Sequence, residues 1–174
     1  MYFSLLCLVK AFILPYNRLM RLEEKVALAL IQSQKSLAIA ESCTGGLLTH
    51  RLTNIPGSSA FLKFTLIAYS NESKIKLLKI PISLIKKHGV VSQETAALMA
   101  KNTQKIFNTD FGVAITGIAG PAGATALKPV GLCFVAIATA QETLCLKCHF
   151  KGNRVNIKNQ AATKALKLLS KFLY

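Results

Sequence analysis

Acidic residues are scarce in this 174-residue chain, which has one aspartate and six glutamates against 22 lysines and arginines. Calcium and magnesium sites need several carboxylates, and glycoside hydrolysis needs a closely spaced pair, so both have almost no material here. A Ser-His-Asp triad would combine Asp110 with a histidine from an unrelated sequence context: His50, His88 or His149. Nucleophilic chemistry would therefore need another kind of base, and lysine is the obvious one.

Positive charge is abundant, with a formal net charge of +15 at pH 7, and such a charge favours a nucleic-acid partner. Lysine, however, supplies 18 of the 22 basic residues, and these lysines are scattered along the chain. Surfaces that read bases favour arginine and interleave aromatic side chains. We therefore expect no nucleic-acid partner, and a basic nucleic-acid-binding module is kept as an alternative.

Cysteine usage indicates neither a disulfide framework nor a metal site. The five cysteines are odd in number, and three lie in strongly apolar stretches, as is typical of buried thiols in a reducing cytoplasm. Cys145, Cys148 and His149 spell the C-x-x-C-H haem-attachment pattern. Their segment alternates like a strand, which turns the two cysteines to opposite faces, and a second ligand pair for zinc is missing. We expect a cytoplasmic protein with no metal and no cofactor.

The N-terminal stretch contains an apolar run that is too short to span a bilayer, because Lys10 interrupts it and Pro15 ends it. This stretch also lacks the basic start and the small-residue cleavage site of a secretory signal. Met20 opens a fresh amphipathic pattern. We expect residues 1–19 to be an apolar N-terminal extension or a mis-annotated start, residues 20–174 to form a single domain, and no membrane association.

From Leu22 onward, helical and strand patterns alternate along the chain. Apolar residues at helical spacing predict helices that begin at Leu22 and then cover residues 45–55, 71–80, 82–89, 92–106 and 156–174. Short apolar runs bounded by turn residues predict strands over 36–40, 61–70, 111–117, 130–140 and 143–150. This alternation, closed by a hairpin, predicts an α/β fold: a three-layer α/β/α sandwich with a mixed, mostly parallel sheet.

The stretch AESCTGG at residues 40–46 places small polar residues and paired glycines between a predicted strand and a predicted helix. Hydroxyl groups at a helix N-terminus suit an anion or a reacting carbonyl. Backbone N–H groups from about Thr44 to Gly46 would stabilise the oxyanion of a tetrahedral intermediate, and the glycines would let a substrate approach the backbone. The simpler alternative is that Ser42 or Thr44 only caps the helix.

A lysine follows the second strand-to-helix junction, in the stretch AYSNESKIKLL. Ser70 and Asn71 suit the helix cap, and Lys74 lies one turn into the helix on the same face as Ser70. A lysine takes a proton from serine only when burial or a nearby cation lowers its pKa from about 10.4. Lys74 is therefore either a candidate base or an ordinary surface lysine.

Five stretches follow one another in the chain: AESCTGGLLTHRLTNIPGSSAF, AYSNESKIKLL, HGVVSQETA, AITGIAGPAGATALKPVG and KGNR. In order and spacing they resemble the CinA C-terminal family of nicotinamide mononucleotide amidohydrolases, over residues 22–173. The resemblance implies a cytoplasmic hydrolase of the pyridine nucleotide cycle, and hence of NAD metabolism. Such an enzyme converts nicotinamide mononucleotide to nicotinate mononucleotide and ammonia with a serine and a lysine, and without a metal.

The resemblance also implies roles for single residues. Ser42 matches the nucleophile, Lys74 the base, and Tyr69 a further residue of the catalytic pocket. The matching substrate-binding residues are Glu41, Thr44, Gly45, Gly46, Asn71, Thr116, Gly117, Gly120, Gly123 and Arg154. A glycine-rich loop that cradles a phosphate and an arginine fork that pairs with it are consistent with this list. The implied partner is a small nucleotide substrate, and a homo-oligomer is left open.

Two positions depart from the family pattern. Ala124 stands where the second loop usually has glycine, and Asn153 stands where an aspartate often precedes the arginine. We expect the first change to stiffen or shift the loop, and the second to remove a charge that would orient Arg154. A catalytically weak or inactive nucleotide-binding relative is therefore the alternative to the amidohydrolase.

Overall fold

The computed structural model describes residues 20–174, and the interpretation of residues 1–19 lies outside this range. The described chain forms five strands: β1 (Leu37–Glu41), β2 (Leu62–Ile67), β3 (Phe111–Gly117), β4 (Leu132–Ala138) and β5 (Thr143–His149). It forms six α-helices: α1 (Leu22–Gln32), α2 (Leu47–Thr53), α3 (Asn71–Leu78), α4 (Ile82–His88), α5 (Gln93–Ile106) and α6 (Arg154–Ser170). Each helix and strand that the sequence predicts is present, with ends that differ by a few residues.

The strands form one sheet in the order β2-β1-β3-β4-β5. β1 pairs in parallel with both β2 and β3, whereas β4 is antiparallel to both of its neighbours. Of the five strands, β4 alone therefore runs against the others. The predicted mixed, mostly parallel sheet is confirmed, and the antiparallel pairing comes from the terminal hairpin, as expected.

Helices cover both faces of the sheet. On one face, α1, α2 and α6 pack onto large apolar side chains of the central strands, such as Ile39 and Ile115. On the other face, α3, α4 and α5 pack onto small side chains, such as Ala40 and Ala114. Small residues on that face let a helix lie close to the strands. The predicted three-layer α/β/α sandwich is confirmed.

The carboxyl ends of β1, β2 and β3 meet at one edge of the sheet, because these three strands are parallel. Beyond this edge β1 continues into Ser42, β2 into the segment that leads to Lys74, and β3 into the glycine-rich loop. Open α/β sheets bind their ligands at such an edge. The topology therefore brings together three of the five stretches that carry the family resemblance.

None of the helices in residues 20–174 is both long enough and apolar enough to cross a lipid bilayer.

Candidate active site

Ser42 lies in a tight turn that directly follows β1. Its N–H donates to the carbonyl of Ile115 on β3 at 3.0 Å, and its carbonyl accepts from the N–H of Gly45 at 3.0 Å. The side chain is largely buried, with 7% of the residue exposed. The sheet on one side and the turn on the other therefore fix the direction of the Ser42 hydroxyl.

Glu41, a candidate substrate-binding residue, does not lie where it could contact a substrate. It is fully buried, and its carboxylate accepts hydrogen bonds of 2.7–3.1 Å from the first turn of α2, including the N–H groups of Gly46, Leu48 and Thr49. A carboxylate suits the positive end of a helix. Glu41 therefore anchors the turn around Ser42 from behind and does not line the cavity described below.

Lys74 reaches Ser42 because of where α3 begins. Ser70 caps this helix by accepting a hydrogen bond from the N–H of Ser73 at 3.0 Å. Side chains of an α-helix tilt towards its N-terminus, so Lys74 in the first turn points back to the ends of the strands. Its Nζ lies 3.1 Å from Ser42 Oγ, 2.7 Å from the carbonyl oxygen of Ala68, and 3.4 Å from that of Tyr69.

Lys74 is a buried lysine without a carboxylate partner. Only 2% of it is exposed, and none of the ion pairs in residues 20–174 includes its Nζ. Burial lowers the pKa of Lys74, because desolvation disfavours the charged form, while the nearby Cys43 thiol acts in the opposite direction. The interpretation of Lys74 as a surface lysine is therefore wrong.

A cavity of about 260 Å³ opens above the Ser42–Lys74 pair. Nine of the residues that the resemblance singles out line it: Ser42, Tyr69, Asn71, Lys74, Thr116, Gly117, Gly120, Gly123 and Arg154. They come from the end of β3, from the segments that follow β1, β2 and β3, from the first turn of α3 and from the start of α6. The structure thus gathers most of the sequence-based candidates into one pocket.

Arg154 bridges the two sides of this cavity. Its guanidinium donates to the carbonyl oxygen of Gly120 at 2.7 Å and to the hydroxyl of Tyr69 at 2.8 Å. Asn153 caps α6 by accepting from the N–H of Asn156 at 3.0 Å. With asparagine at position 153, Arg154 is therefore oriented by Tyr69 and the glycine-rich loop.

Besides Glu41, three candidate residues of the AESCTGG stretch lie outside the cavity: Thr44, Gly45 and Gly46. The N–H of Gly45 is bonded to Ser42, and that of Gly46 to Glu41, so neither serves as the free oxyanion donor that the sequence predicts. Within residues 20–174, the N–H groups of Cys43 and Thr44 donate no hydrogen bond. Any backbone donor from this turn would thus be Thr44, at the start of the predicted range, or Cys43, one residue before it.

Six lining residues are absent from the sequence-based set: Cys43, Val90, Val91, Ile118, Ala119 and Ala122. Val90 is held in place by Thr116, whose hydroxyl donates to its carbonyl oxygen at 2.9 Å. The HGVV stretch contains both valines, but in a sequence an apolar pair after a helix is typical of residues in the hydrophobic core. No local sequence signal distinguishes the two valines, because their position depends on the path of the segment between α4 and α5.

A histidine triad has no counterpart at this cavity, since His50, His88 and His149 do not line it. Asp110 precedes β3 and so lies at the opposite edge of the sheet from Ser42. In the described chain, no three His, Cys, Asp or Glu side chains lie close enough together to hold a metal ion.

Comparison with known proteins gives the same result from sequence and from structure. A CinA-like protein of Syntrophus aciditrophicus is 48% identical over 153 residues, which are 87% of this chain and 36% of that protein. The chain thus spans about a third of the length of the curated relatives that it matches.

Solved structures share the fold over nearly their whole length. A CinA superfamily protein of Klebsiella pneumoniae is 29% identical, with a TM-score of 0.84 over 87% of this chain and 95% of the other. The competence/damage inducible protein CihA of Agrobacterium tumefaciens is 32% identical, with a TM-score of 0.83 over 91% and 100%. The model of the CinA C-terminal domain matches residues 19–173. The chain therefore belongs to the CinA C-terminal domain family.

Proposed function

We propose that this protein hydrolyses the carboxamide of nicotinamide mononucleotide to nicotinate mononucleotide and ammonia, with Ser42 as nucleophile and Lys74 as base. One observation carries the proposal: a buried lysine that forms no ion pair within residues 20–174 lies 3.1 Å from a serine hydroxyl in the wall of a cavity. Perturbed lysines beside a nucleophile in a cleft are typical of catalytic sites.

The contacts of Lys74 suit both its forms: the ammonium group donates to Ser42 Oγ and to two carbonyl oxygens, and the neutral amine keeps the two carbonyl contacts. Such an amine has two N–H bonds and one lone pair. The carbonyl oxygens of Ala68 and Tyr69 accept the two N–H bonds, so the lone pair is left for the Ser42 hydroxyl. Burial of Lys74 lowers its pKa and so increases the fraction of neutral amine near pH 7. The amine therefore accepts the proton when Ser42 attacks.

The reaction then proceeds in two halves. Ser42 Oγ bonds to the carboxamide carbon while its proton passes to Lys74 Nζ. The protonated Lys74 next delivers this proton to the leaving nitrogen, which departs as ammonia and leaves an ester on Ser42. Lys74 then takes a proton from water, which attacks the ester, and returns this proton to Ser42 Oγ as the ester bond breaks, and the acid product leaves as the carboxylate. The free N–H groups of Cys43 and Thr44 are the candidate donors to the oxyanion.

The other end of the cavity suits the phosphate of a mononucleotide. Arg154 keeps N–H bonds beyond the two that Gly120 and Tyr69 accept, and a guanidinium has five in all. Gly120 and Gly123 have positive φ values and lie in the same wall. Backbone N–H groups of such loops form concavities for anions. We therefore assign Arg154 and this loop to phosphate recognition, and Tyr69 to holding Arg154.

The experiment is a coupled assay for ammonia with nicotinamide mononucleotide, run beside thermal unfolding with the same compound. We expect ammonia release together with stabilisation by the ligand. Stabilisation without ammonia would favour the inactive nucleotide-binding relative. Neither effect, with affinity for nucleic acid that falls steeply with salt, would favour the nucleic-acid-binding module.

The assignment of Arg154 has its own measurement, the ratio of kcat/KM for nicotinamide mononucleotide to that for nicotinamide riboside, which lacks the phosphate. We expect Arg154→Gln to lower this ratio by about 10- to 100-fold, as for loss of a hydrogen bond to a charged group. Lys151→Gln is the matched control, because Lys151 is a nearby exposed cation outside the cavity. An equal fall for both substrates would contradict a phosphate contact.

A further inference from the structure

Cys43 lies in the wall of the cavity directly after Ser42, and the proposed reaction leaves its thiol unused. It is 7% exposed, and Cys133 of β4 is fully buried in the same apolar cluster. Both are free thiols. A cavity therefore connects the surface to a cysteine that has a second cysteine next to it.

Gly117 links the two cysteines in space. Glu41, the last residue of β1, pairs with Ile115, and beyond this pair Cys43 and Gly117 line the same cavity. Gly117 in turn pairs with Cys133 on β4. A Cβ on Gly117 would lie 2.5 Å from the Cys133 sulfur. The missing side chain at position 117 thus provides the space that the sulfur occupies.

The two thiols differ in reactivity. Their hydrogen bond lowers the pKa of Cys43 and raises that of Cys133, and burial raises the pKa of Cys133 further. The thiolate is the form that attacks an oxidant. Cys43 also faces the cavity, through which a small oxidant enters, so Cys43 reacts first and Cys133 second.

We propose that Cys43 and Cys133 form a reversible disulfide that switches off the adjacent Ser42–Lys74 site. With hydrogen peroxide as oxidant, the Cys43 sulfur takes one oxygen, which gives a sulfenic acid and one water. The Cys133 sulfur then attacks the Cys43 sulfur, and the oxygen leaves as a second water. Two thiols thus lose two electrons and two protons, and a thiol reductant restores them.

Bond formation displaces the turn that carries the nucleophile. A disulfide holds its sulfurs about 2.05 Å apart, far closer than a contact between thiols. Cys133 lies on a strand paired on both sides, whereas Cys43 lies in the turn after β1. The turn therefore yields, and Ser42 moves from its place 3.1 Å from Lys74 Nζ. A displacement of about 1 Å lowers a rate about 100-fold.

Cys148 is an alternative partner that makes the test sharper. It pairs with Cys133 across β4 and β5, and it lies nearer the edge of the sheet than Cys133. A bond between Cys133 and Cys148 would join two strands and leave the turn around Ser42 in place. The two linkages therefore predict different activities.

The test treats the full chain with hydrogen peroxide and then with dithiothreitol, maps linked peptides by mass spectrometry, and follows ammonia release. This readout of activity rests on the proposed function. We expect a Cys43–Cys133 linkage, a loss of turnover of about 100-fold, and recovery on reduction. Cys133→Ala and Cys133→Ser are expected to keep their activity under the oxidant. Cys148→Ala, the matched control, is expected to respond as the wild type does.

Several results would contradict the disulfide proposal. An oxidised wild type without the Cys43–Cys133 linkage, or with a Cys133–Cys148 linkage alone, would overturn the proposal. So would an equal loss of activity in both Cys133 variants. If the reduced protein releases no ammonia but the Cys43–Cys133 linkage forms, the disulfide is supported and the amidase reaction is the part that fails.

Discussion

The pKa of a single buried amine, that of Lys74, sets the pH dependence of the proposed reaction. Burial lowers this pKa, so we expect kcat to rise with pH as Lys74 loses its proton, with a midpoint below the ordinary value of about 10.4. The measurement is the pH profile of ammonia release at saturating substrate. A rate that is flat with pH, or a midpoint at or above 10.4, would contradict lysine as a buried base.

The same pKa also enters the stability of the protein. Because it is lower in the folded state, the unfolded chain binds more protons, and stability rises with pH. The destabilisation that comes from burying Lys74 is largest below its folded-state pKa and is absent above about 10.4. As the pH rises from neutral towards this value, we expect the free energy of unfolding of the wild type to increase relative to that of Lys74→Met. Urea unfolding measures the difference, and a constant difference would contradict the shift.

Sequence reasoning at the residue scale works where chemistry is local and fails where it depends on packing. Ser42 and Lys74 follow from their motifs, and the resemblance pairs them. Glu41 lies in the same motif, yet its carboxylate faces the first turn of α2. Nothing in the order of the residues tells which way a side chain next to Ser42 points, because that depends on where α2 begins.

At the scale of elements, Asp110 joins the start of β3 to the start of β1. Its carboxylate accepts from Lys35 Nζ at 2.8 Å, and from the N–H and hydroxyl of Ser36 at 2.8 and 2.7 Å. Burial alone would raise the pKa of Asp110, but these hydrogen bonds outweigh it and lower the pKa to about 2. The only aspartate of the chain therefore has a structural role.

We expect Asp110→Asn to lower the melting temperature at pH 7. A carboxyl group with a lowered folded-state pKa stabilises the protein above its unfolded-state pKa of about 3.9, and this contribution disappears as the pH falls to about 2. In thermal unfolding scans, the difference in melting temperature between wild type and variant should therefore disappear over this pH range.

Glu142→Gln is the control for this prediction. Its carboxylate makes no ion pair within residues 20–174, so we expect this substitution to change the melting temperature only slightly. A difference for Asp110→Asn that stays constant down to pH 2 would contradict the role given to the hydrogen bonds.

The elements themselves follow well from the sequence. Central strands such as β1 and β4 are buried along their whole length, and they read as unbroken apolar runs. The serine that caps α3 is also visible as a motif. The order of the strands is not visible, because the register that aligns Glu41 with Ile115 and Gly117 with Cys133 arises from pairing between distant segments.

At the scale of the whole molecule, the site depends on contacts between segments far apart in the chain. The Lys74–Ser42 bond spans 32 residues, and the Arg154–Tyr69 bond spans 85. Local patterns predict neither contact, and the family resemblance supplied the pairing of Ser42 with Lys74. Composition excludes other chemistry at this scale, since seven acidic residues leave little material for paired carboxylates.

The most direct test of the central claim is the rate of ammonia release from nicotinamide mononucleotide by Ser42→Ala, Lys74→Met and the double variant. We expect each single variant to lose at least about 10³-fold in kcat, with substrate binding within about tenfold, because the lost interactions belong to the transition state. The double variant should be little worse, since the two residues act as a unit. Near-normal turnover in Ser42→Ala would contradict the account and point to another nucleophile.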